Sequence, residues 1–244
     1  MRIAIVSDIH SNYVALETVL GAIGSCDQLW NLGDTIGYGP RPNQCMAAMR
    51  AQHGVMIAGN HDLACIDKVD LTDFNADARI ANLWNGEQLE ADHRAALALL
   101  PPIEAVDERC MVVHGSPREP IWEYLLSREQ AHDNFELFSQ QLCFMGHSHV
   151  PLIFGRARNG TCANPLSPAA GTTLEIENGM RYFINPGSVG QPRNQDPRAA
   201  YAVLDTAAGT VRFMRVEYDI AKTQRQMREA HLPTALIRRL EFGM

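Results

Sequence analysis

Five times within its first 149 residues this chain leaves an apolar run and breaks at once into a turn carrying Asp, Asn or His. The turns are "VSDIHS" (Asp8, His10), "NLGDTIGYGP" (Asp34), "IAGNHD" (Asn60, His61, Asp62), "VVHGSP" (His114) and "MGHSHV" (His147, His149). Apolar runs of this length, rich in Val and Ile, suit strands buried on both faces. Polar turns at the ends of such strands then lie along one rim of a sheet, where open α/β sheets bind ligands. Taken singly, each turn has a simpler explanation. Asp8 could cap a helix, Asp34 could be a turn residue, His114 a satisfied core histidine, and His147 with His149 a hairpin decoration. Five of the nine histidines fall in these turns, however, and all the simple explanations would have to hold independently.

The intervening segments fix the fold class. "RIAIVS" (2–7) predicts a strand, and the spacing of Leu16, Val19, Leu20 and Ile23 predicts a helix with Ser11 as N-cap and Gly24 as its stop. Further strands are predicted at 27–34 and at "VMIAGNHD", and a short helix near 43–52. Helices follow near 74–85 and 87–100, with "LLPP" ending the second. Strands at 103–106 and 109–115, a helix near 128–140 and the strand in "LCFMGH" complete the first part. The last hundred residues read as short strands separated by Gly, Asn and Pro turns, with a loop at 157–171 and a terminal helix near 219–231. "PTALIRRLEF" (233–242) is mildly amphipathic, either a partner surface or a packed tail. The expectation is one layered α/β domain over residues 1–244, two packed sheets flanked by helices.

Composition limits the functions available. The formal charge is −7 and no block of Lys and Arg follows the chain, which argues against an extended nucleic-acid groove. The six cysteines are scattered without a CxxC pair and read as reduced core thiols. "MRIAIVSD" enters a strand without the apolar region of a signal peptide, and no apolar run approaches the ~20 residues of a membrane span. A cytoplasmic protein is expected.

The donors specify a chemistry. In extended chain, residues i and i+2 point the same way, so Asp8 with His10, and His147 with His149, are each expected to converge on one point. Adjacent Asn60 and His61 should point apart and do different jobs. Carboxylates, imidazoles and an amide oxygen without thiolates suit Mn, Fe, Zn, Ni or Co, and argue against a Ca²⁺ cage or a cysteine-type zinc site. Seven donors are too many for one tetrahedral ion and suit two, with one carboxylate shared. Two divalent ions set against Asp8, Asp34 and a bridging hydroxide leave a site charge of about +1, so an acidic chain can still hold a phosphate there.

The ordered series D-x-H, GD, GNHD, H and GHxH, spanning residues 8 to 149, resembles that of the calcineurin-like metallophosphoesterase superfamily. "GYGPRPN" and "INPGSVGQPR" are similar to its small single-domain prokaryotic branch. The resemblance implies a β-sandwich flanked by helices. It implies two divalent or trivalent transition-metal ions, manganese foremost, one held by Asp8, His10, Asp34 and His149. Asp34, Asn60, His114 and His147 would hold the other, with Asp34 bridging. His61 matches the family's catalytic histidine that is not a ligand. The implied reaction is hydrolysis of a phosphate monoester or diester by in-line attack of a metal-bridging hydroxide, with His61 protonating the leaving oxygen or steadying charge. One departure is visible: many members carry a second acid in GDxxD, where this chain has Gly37. Arg118, Arg193 and Tyr38 are candidate contacts to a small phosphate-ester substrate, a nucleotide among the options, and Asn185 and Ser188 either line the rim or form a turn. The alternative is a non-catalytic, metal-binding interaction scaffold of the same fold. A DNA-processing nuclease finds no support in an acidic chain. Native metal, natural substrate and oligomeric state are not written in these motifs.

Overall fold

The first apolar run forms β1 (Arg2–Val6), and its alternation decides the layering. Ile3 and Ile5 face one core while Ala4 and Val6 face another, under helix α1 (Tyr13–Ile23). Both faces are covered, which is why the run is continuously apolar. Next come β2 (Gln28–Asn31), α2 (Pro42–Arg50), α3 (Asn60–Cys65), α4 (Ala76–Gln88) and α5 (Ala91–Leu97). They are followed by β3 (Ile103–Ala105), β4 (Cys110–Val113), α6 (Arg128–Asn134), β5 (Leu142–Met145) and β6 (Leu152–Ala157). The chain then runs through β7 (Thr173–Glu175), β8 (Met180–Asn185), β9 (Ala199–Asp205), β10 (Thr210–Val216), α7 (Ile220–Glu229) and α8 (Thr234–Arg239). The computed structural model describes residues 1–157 and 160–244, so positions 158 and 159 of the predicted 157–171 loop lie outside the described residues. No helix among the described residues is long and apolar enough to cross a membrane.

Two mixed five-stranded sheets result, ordered β2-β1-β9-β10-β7 and β3-β4-β5-β8-β6. β1 pairs in parallel with β2, and β4 with β5, so the carboxyl ends of these strands launch four of the five polar turns from one rim. Between the sheets lies a core of Ile3, Ile5, Trp30, Leu204 and Phe213 from the first, against Val112, Leu142, Phe144 and Ile184 from the second. The outer face of the second sheet, with Phe154 and Phe183, packs under Phe135 at the end of α6. This is the layered architecture expected from the sequence.

Several local expectations change. "VMIA" forms no strand of its own. Asn31 and Met56 make an isolated parallel bridge, and the Ala58 N–H then turns away to the Pro101 carbonyl at 2.9 Å. The GNHD motif therefore sits on the first turn of α3, not in a strand-end loop. α1 is capped by Asn12, whose side chain accepts from the Ala15 N–H, because Ser11 Oγ is drawn to Asn85 instead. The helix predicted for 128–140 ends at Asn134, and a 3-10 turn takes Phe135–Leu137. There the Arg181 guanidinium takes up the carbonyls of Phe135, Phe138 and Gln140. Residues 233–242 are a packed tail, since Leu236, Ile237 and Leu240 of this segment are buried against Tyr38, Phe74 and Met227.

Phe144 lies wholly buried at the centre of the inter-sheet core, edge-on to Trp30 at 5.9 Å. Phe144→Ala is expected to cost about 3–5 kcal/mol of stability. The check is the urea midpoint at unchanged slope, and a loss under about 1 kcal/mol would mean that the two sheets do not share this core.

Candidate metal centre

The polar turns converge because they hydrogen-bond to one another. The loop after β1 lies along the loop after β2: the Asp8, His10 and Ser11 N–H groups donate to the carbonyls of Gly33, Asp34 and Thr35 at 3.1, 2.9 and 3.0 Å. The second sheet joins through the Gly146 N–H to the His114 carbonyl (2.9 Å) and the His147 N–H to Asp8 Oδ1 (3.2 Å). Asn185 and Ser188 act from behind. Asn185 Nδ2 donates to the Gly146 carbonyl at 2.6 Å, and Ser188 Oγ to the Asp8 carbonyl at 2.8 Å. These two residues brace the loops from within, and both are fully buried.

The geometry differs from the extended-chain expectation. Asp8, His10, Asp34, His147 and His149 all have φ between 50° and 63°, in the left-handed region. Such a conformation costs each non-glycine residue roughly 1–2 kcal/mol, and its clustering marks a site where surrounding structure imposes it. Left-handed turns swing successive side chains differently from a strand. Asp8 and His10 do fall in one group, with Asp34 and His149, but His147 falls in a second group with Asp34 and His114. The GHSH histidines thus part company, one to each group, because the pleat rule does not hold in a left-handed turn. Within each group the candidate ligand atoms lie within 4.8 Å of one another. Asn60 joins the second, its Oδ1 3.2 Å from His114 Nε2.

Hydrogen bonds decide which imidazole nitrogen is available. A backbone carbonyl can only accept, so a ring nitrogen touching one must carry the proton. His10 Nδ1 donates to the Ile36 carbonyl (3.3 Å), His114 Nδ1 to Leu32 (2.8 Å) and His149 Nδ1 to Gln191 (2.6 Å). The Nε2 atoms of His10 and His149 are left with lone pairs, and His114 Nε2 gains one once its imidazole, held charged by Asp34, gives up its second proton. His147 is reversed: its Nε2 donates to the Trp122 carbonyl at 3.2 Å, leaving Nδ1 free. His10 Nε2 and His149 Nε2 then face each other at 3.1 Å, two lone pairs with no hydrogen between them. Asp8 Oδ2 and Asp34 Oδ2 are buried without a hydrogen-bond partner. Asp34 Oδ2 lies 3.6 Å from His10 Nε2 and 3.4 Å from His114 Nε2, and Asp8 Oδ1 lies 3.4 Å from His149 Nε2. Opposed lone pairs and orphaned carboxylate oxygens in a buried place are what a cation relieves, and a nitrogen–oxygen donor set suits a divalent transition metal.

Electrostatics agree. Burial, reinforced by Asp34, raises the Asp8 carboxyl to about 7 despite the nearby His114. Burial opposes ionisation of Asp34 too, but His114, His61 and His10 hold its carboxyl well below the usual range. Burial works against a charged His114, yet Asp34 beside it lifts the imidazole to about 9. Burial keeps His10 and His149 neutral, and with His114 it depresses His147 to about 3.

His61 occupies a separate position. Its N–H donates to Asp34 Oδ1 at 2.9 Å, and its ring packs against Tyr38 and His10 with centroids 4.3 and 4.9 Å away. Its Nδ1 donates to Asn82 Oδ1 at 2.7 Å, leaving Nε2 open. Asn82 was not singled out from the sequence. Gly37, where many members of the resembling family have an acid, explains the arrangement. Gly37 has φ 96°, and a Cβ there would lie 2.9 Å from His61 Nδ1 and 3.0 Å from Asn82 Oδ1. The acceptor for His61 comes from α4, not from the loop after β2. A signal did exist: Asn82 and Asn85 lie three residues apart on the buried face of α4, where polar side chains need partners. Asn85 also binds this loop, accepting from the Gly37 N–H and donating to the Gly39 carbonyl.

The three candidate substrate contacts separate. Arg118 is spent on Glu123, with Asp133 at 3.6 Å, in a peripheral ion-pair group. Tyr38 is buried against His10 and His61. Arg193 reaches Gln191 Oε1 at 2.9 Å and the Tyr38 hydroxyl at 3.5 Å, and its N–H donates to the His149 carbonyl. Tyr124, also missed from the sequence, stacks on His147 with centroids 4.0 Å apart.

Metal ligands must be deprotonated, so loading should displace the protons on His114 and Asp8. Affinity is then expected to rise with pH until it passes the His114 value of about 9. Titration calorimetry in buffers of unequal ionisation enthalpy at about pH 8 should show about one proton released per loaded chain. No release would mean that His114 gives up no proton to the metal. Asn82→Ala should leave metal content intact while lowering turnover about 10–100-fold, as loss of a histidine's orienting partner does.

The calcineurin-like phosphoesterase superfamily domain matches residues 1–209. An uncharacterized protein of Methanocaldococcus jannaschii is 35% identical over 99% of this chain and 98% of its own length. The crystal structure of a metallophosphoesterase from Sphaerobacter thermophilus superposes with a TM-score of 0.91 at 47% identity, covering all of both chains. A hypothetical protein from Pyrococcus horikoshii shares the fold at a TM-score of 0.78 and 20% identity, over 100% of this chain and 98% of that one. With strand-end donors, architecture and sequence in agreement, this chain belongs to the calcineurin-like phosphoesterase superfamily.

Proposed function

We propose that the chain is a single-domain, dinuclear metal-dependent phosphoesterase acting on a phosphate monoester or diester. The observation that carries this reading is the pair of facing Nε2 atoms on His10 and His149 beside the orphaned oxygens of Asp8 and Asp34. Asp8, His10, Asp34 and His149 would hold one ion, and Asp34, Asn60, His114 and His147 the other, with Asp34 common to both. The family resemblance puts manganese first, and the nitrogen–oxygen set equally suits Fe, Zn, Ni and Co. Bound metal supplies Lewis-acid polarisation of the phosphoryl oxygens and a nucleophile from water near neutral pH.

The residues supply the rest. Burial lowers the His61 pKa and favours a neutral ring with its proton on Nδ1, pointed at Asn82. A phosphate anion next to Nε2 favours the charged ring. Nε2 is then the atom that passes a proton to the leaving oxygen, while Asn82 fixes the ring plane through Nδ1–H. Tyr38 and Phe74 pack against His61 at 4.3 and 4.8 Å and limit its rotation. The His61 N–H to Asp34 Oδ1 ties the ring's position to the shared carboxylate.

The test is turnover of bis(4-nitrophenyl) phosphate and of 4-nitrophenyl phosphate with Mn²⁺ and with EDTA. Hydrolysis that EDTA abolishes is expected. Asp34→Asn should lose both metals and activity. His61→Ala should retain metal content and lose about 10²–10⁴-fold in turnover, the yield of a positioned general acid. Metal bound in full with no turnover on any phosphate ester would defeat the proposal.

A further inference from the structure

One aromatic ring beside the metal centre is left open to solvent. The seven candidate donors and His61 are each at most 4% exposed. Tyr38 and Phe74, which pack on His61, are buried as well. Tyr124 is 41% exposed, although its ring lies flat on His147, with centroids 4.0 Å apart and planes 19° from parallel. With one face on the imidazole, that exposure belongs to the opposite face and the hydroxyl edge.

The loop between β4 and α6 holds the ring there. On either side of Tyr124, Glu123 and Leu125 are anchored away from the centre. Glu123 accepts from Ser116 Oγ at 2.5 Å and from Asn134 Nδ2 at 3.0 Å, and Leu125 is buried with Phe135 and Phe154. The Trp122 ring packs edge-on to Phe74 at 5.3 Å, and its carbonyl takes the His147 Nε2–H at 3.2 Å. His147 is thus already oriented by that carbonyl and by the His114 ring at 5.0 Å, without need of a tyrosine. An aromatic ring left exposed on an anchored segment forgoes the burial of its second face. A planar ring laid on that face recovers the burial and adds the attraction between offset rings.

His147 fixes where that face lies relative to the chemistry. It belongs to the donor group of Asp34 and His114, and Tyr124 stacks on it from outside the group. A ring on the open face of Tyr124 is then two ring layers from a donor imidazole, a few bonds from a phosphate held at the centre. We propose that Tyr124 is the platform for an aromatic ring of the substrate. The natural substrate is then a phosphate ester whose alcohol carries an aromatic ring. That ring lies close to phosphorus in an aryl ester, or several bonds away in a nucleotide. This assignment rests on the phosphoesterase reading for the position of the phosphate, and it deepens that reading by naming the substrate class.

Phosphonates, whose carbon–phosphorus bond resists ester hydrolysis, serve as probes: phenyl-, benzyl- and phenylpropylphosphonate, each against its cyclohexyl counterpart. They are titrated by calorimetry into the Mn²⁺-loaded chain, with metal content and melting temperature recorded for every variant. At one or more linker lengths the wild-type chain should bind the aromatic probe about fivefold or more tighter, the yield of one aromatic pair. A preference confined to the phenyl probe assigns an aryl ester, and one that grows with the propyl linker assigns a ring carried farther out, as a nucleobase is. Tyr124→Phe should keep the preference, and Tyr124→Leu, which stays apolar, should bring it below about twofold. Leu126→Ala, at an exposed neighbour in the same loop, should leave it unchanged. Equal binding of both probes at every length, or a preference that survives Tyr124→Leu, overturns the platform. Should Tyr124→Leu lose metal, Tyr124→Trp decides: its larger ring must hold or raise the preference with metal retained, and a fall overturns the platform. A chain that shows the preference yet hydrolyses no phosphate ester defeats the phosphoesterase reading alone. One that hydrolyses esters without the preference defeats the platform alone.

Discussion

Asp34 is the point on which the structure turns. Its backbone is left-handed, its Oδ1 accepts the His61 N–H, and its Oδ2 stands unpaired between His10 and His114 from different sheets. Removing a carboxylate oxygen from water without a partner costs several kcal/mol, so this arrangement is unfavourable as it stands. It exists because the loops after β1, β2, β4 and β5 are hydrogen-bonded to one another, and those loops are anchored by strands with both faces buried. The cores stabilise; the rim is left strained, ready for a cation.

The same economy appears in the left-handed turns. Five donors adopt a backbone that most residues avoid, and each is imposed by a bond from a neighbouring element, such as Ser188 to the Asp8 carbonyl or Asn185 to Gly146. His61 depends on a different support. With no side chain at Gly37, its Nδ1 partner is Asn82 of α4, so the ring's orientation depends on how α4 packs against α3. A neutral amide in place of a carboxylate orients the imidazole without adding charge to a place where Asp8 and Asp34 already repel each other.

Much of this was legible in the sequence because burial writes itself into composition. A strand covered on both faces must be continuously apolar, and a polar turn that follows it stands out, so all seven candidate donors and His61 could be picked out as one set. The pairing of donors was less legible. Alternation along an extended strand put His147 and His149 on one point while the resemblance separated them, and the left-handed backbone sends them to different groups. "VMIAGNHD" read as strand and turn, whereas a single bridge to Asn31 is all the pairing available before the chain enters α3. Ser11 and Asn12 are both good caps, and only the presence of Asn85 opposite Ser11 decided between them. Asn82 carried a weak signal, a polar residue on a buried helical face, whose partner no local rule could supply.

The sequence by itself determined the layered class of fold, the strand ends at which chemistry is carried, and the nitrogen–oxygen character of the donors. These follow from near-neighbour rules: periodicity, turn chemistry and residue type. Local spacing could not say which donors share a group, which only the resemblance implied, and tertiary structure alone decided which imidazole nitrogen each presents and who orients His61. Each of those depends on residues tens to hundreds of positions apart meeting in space, and such meetings are set by how the sheets and helices pack.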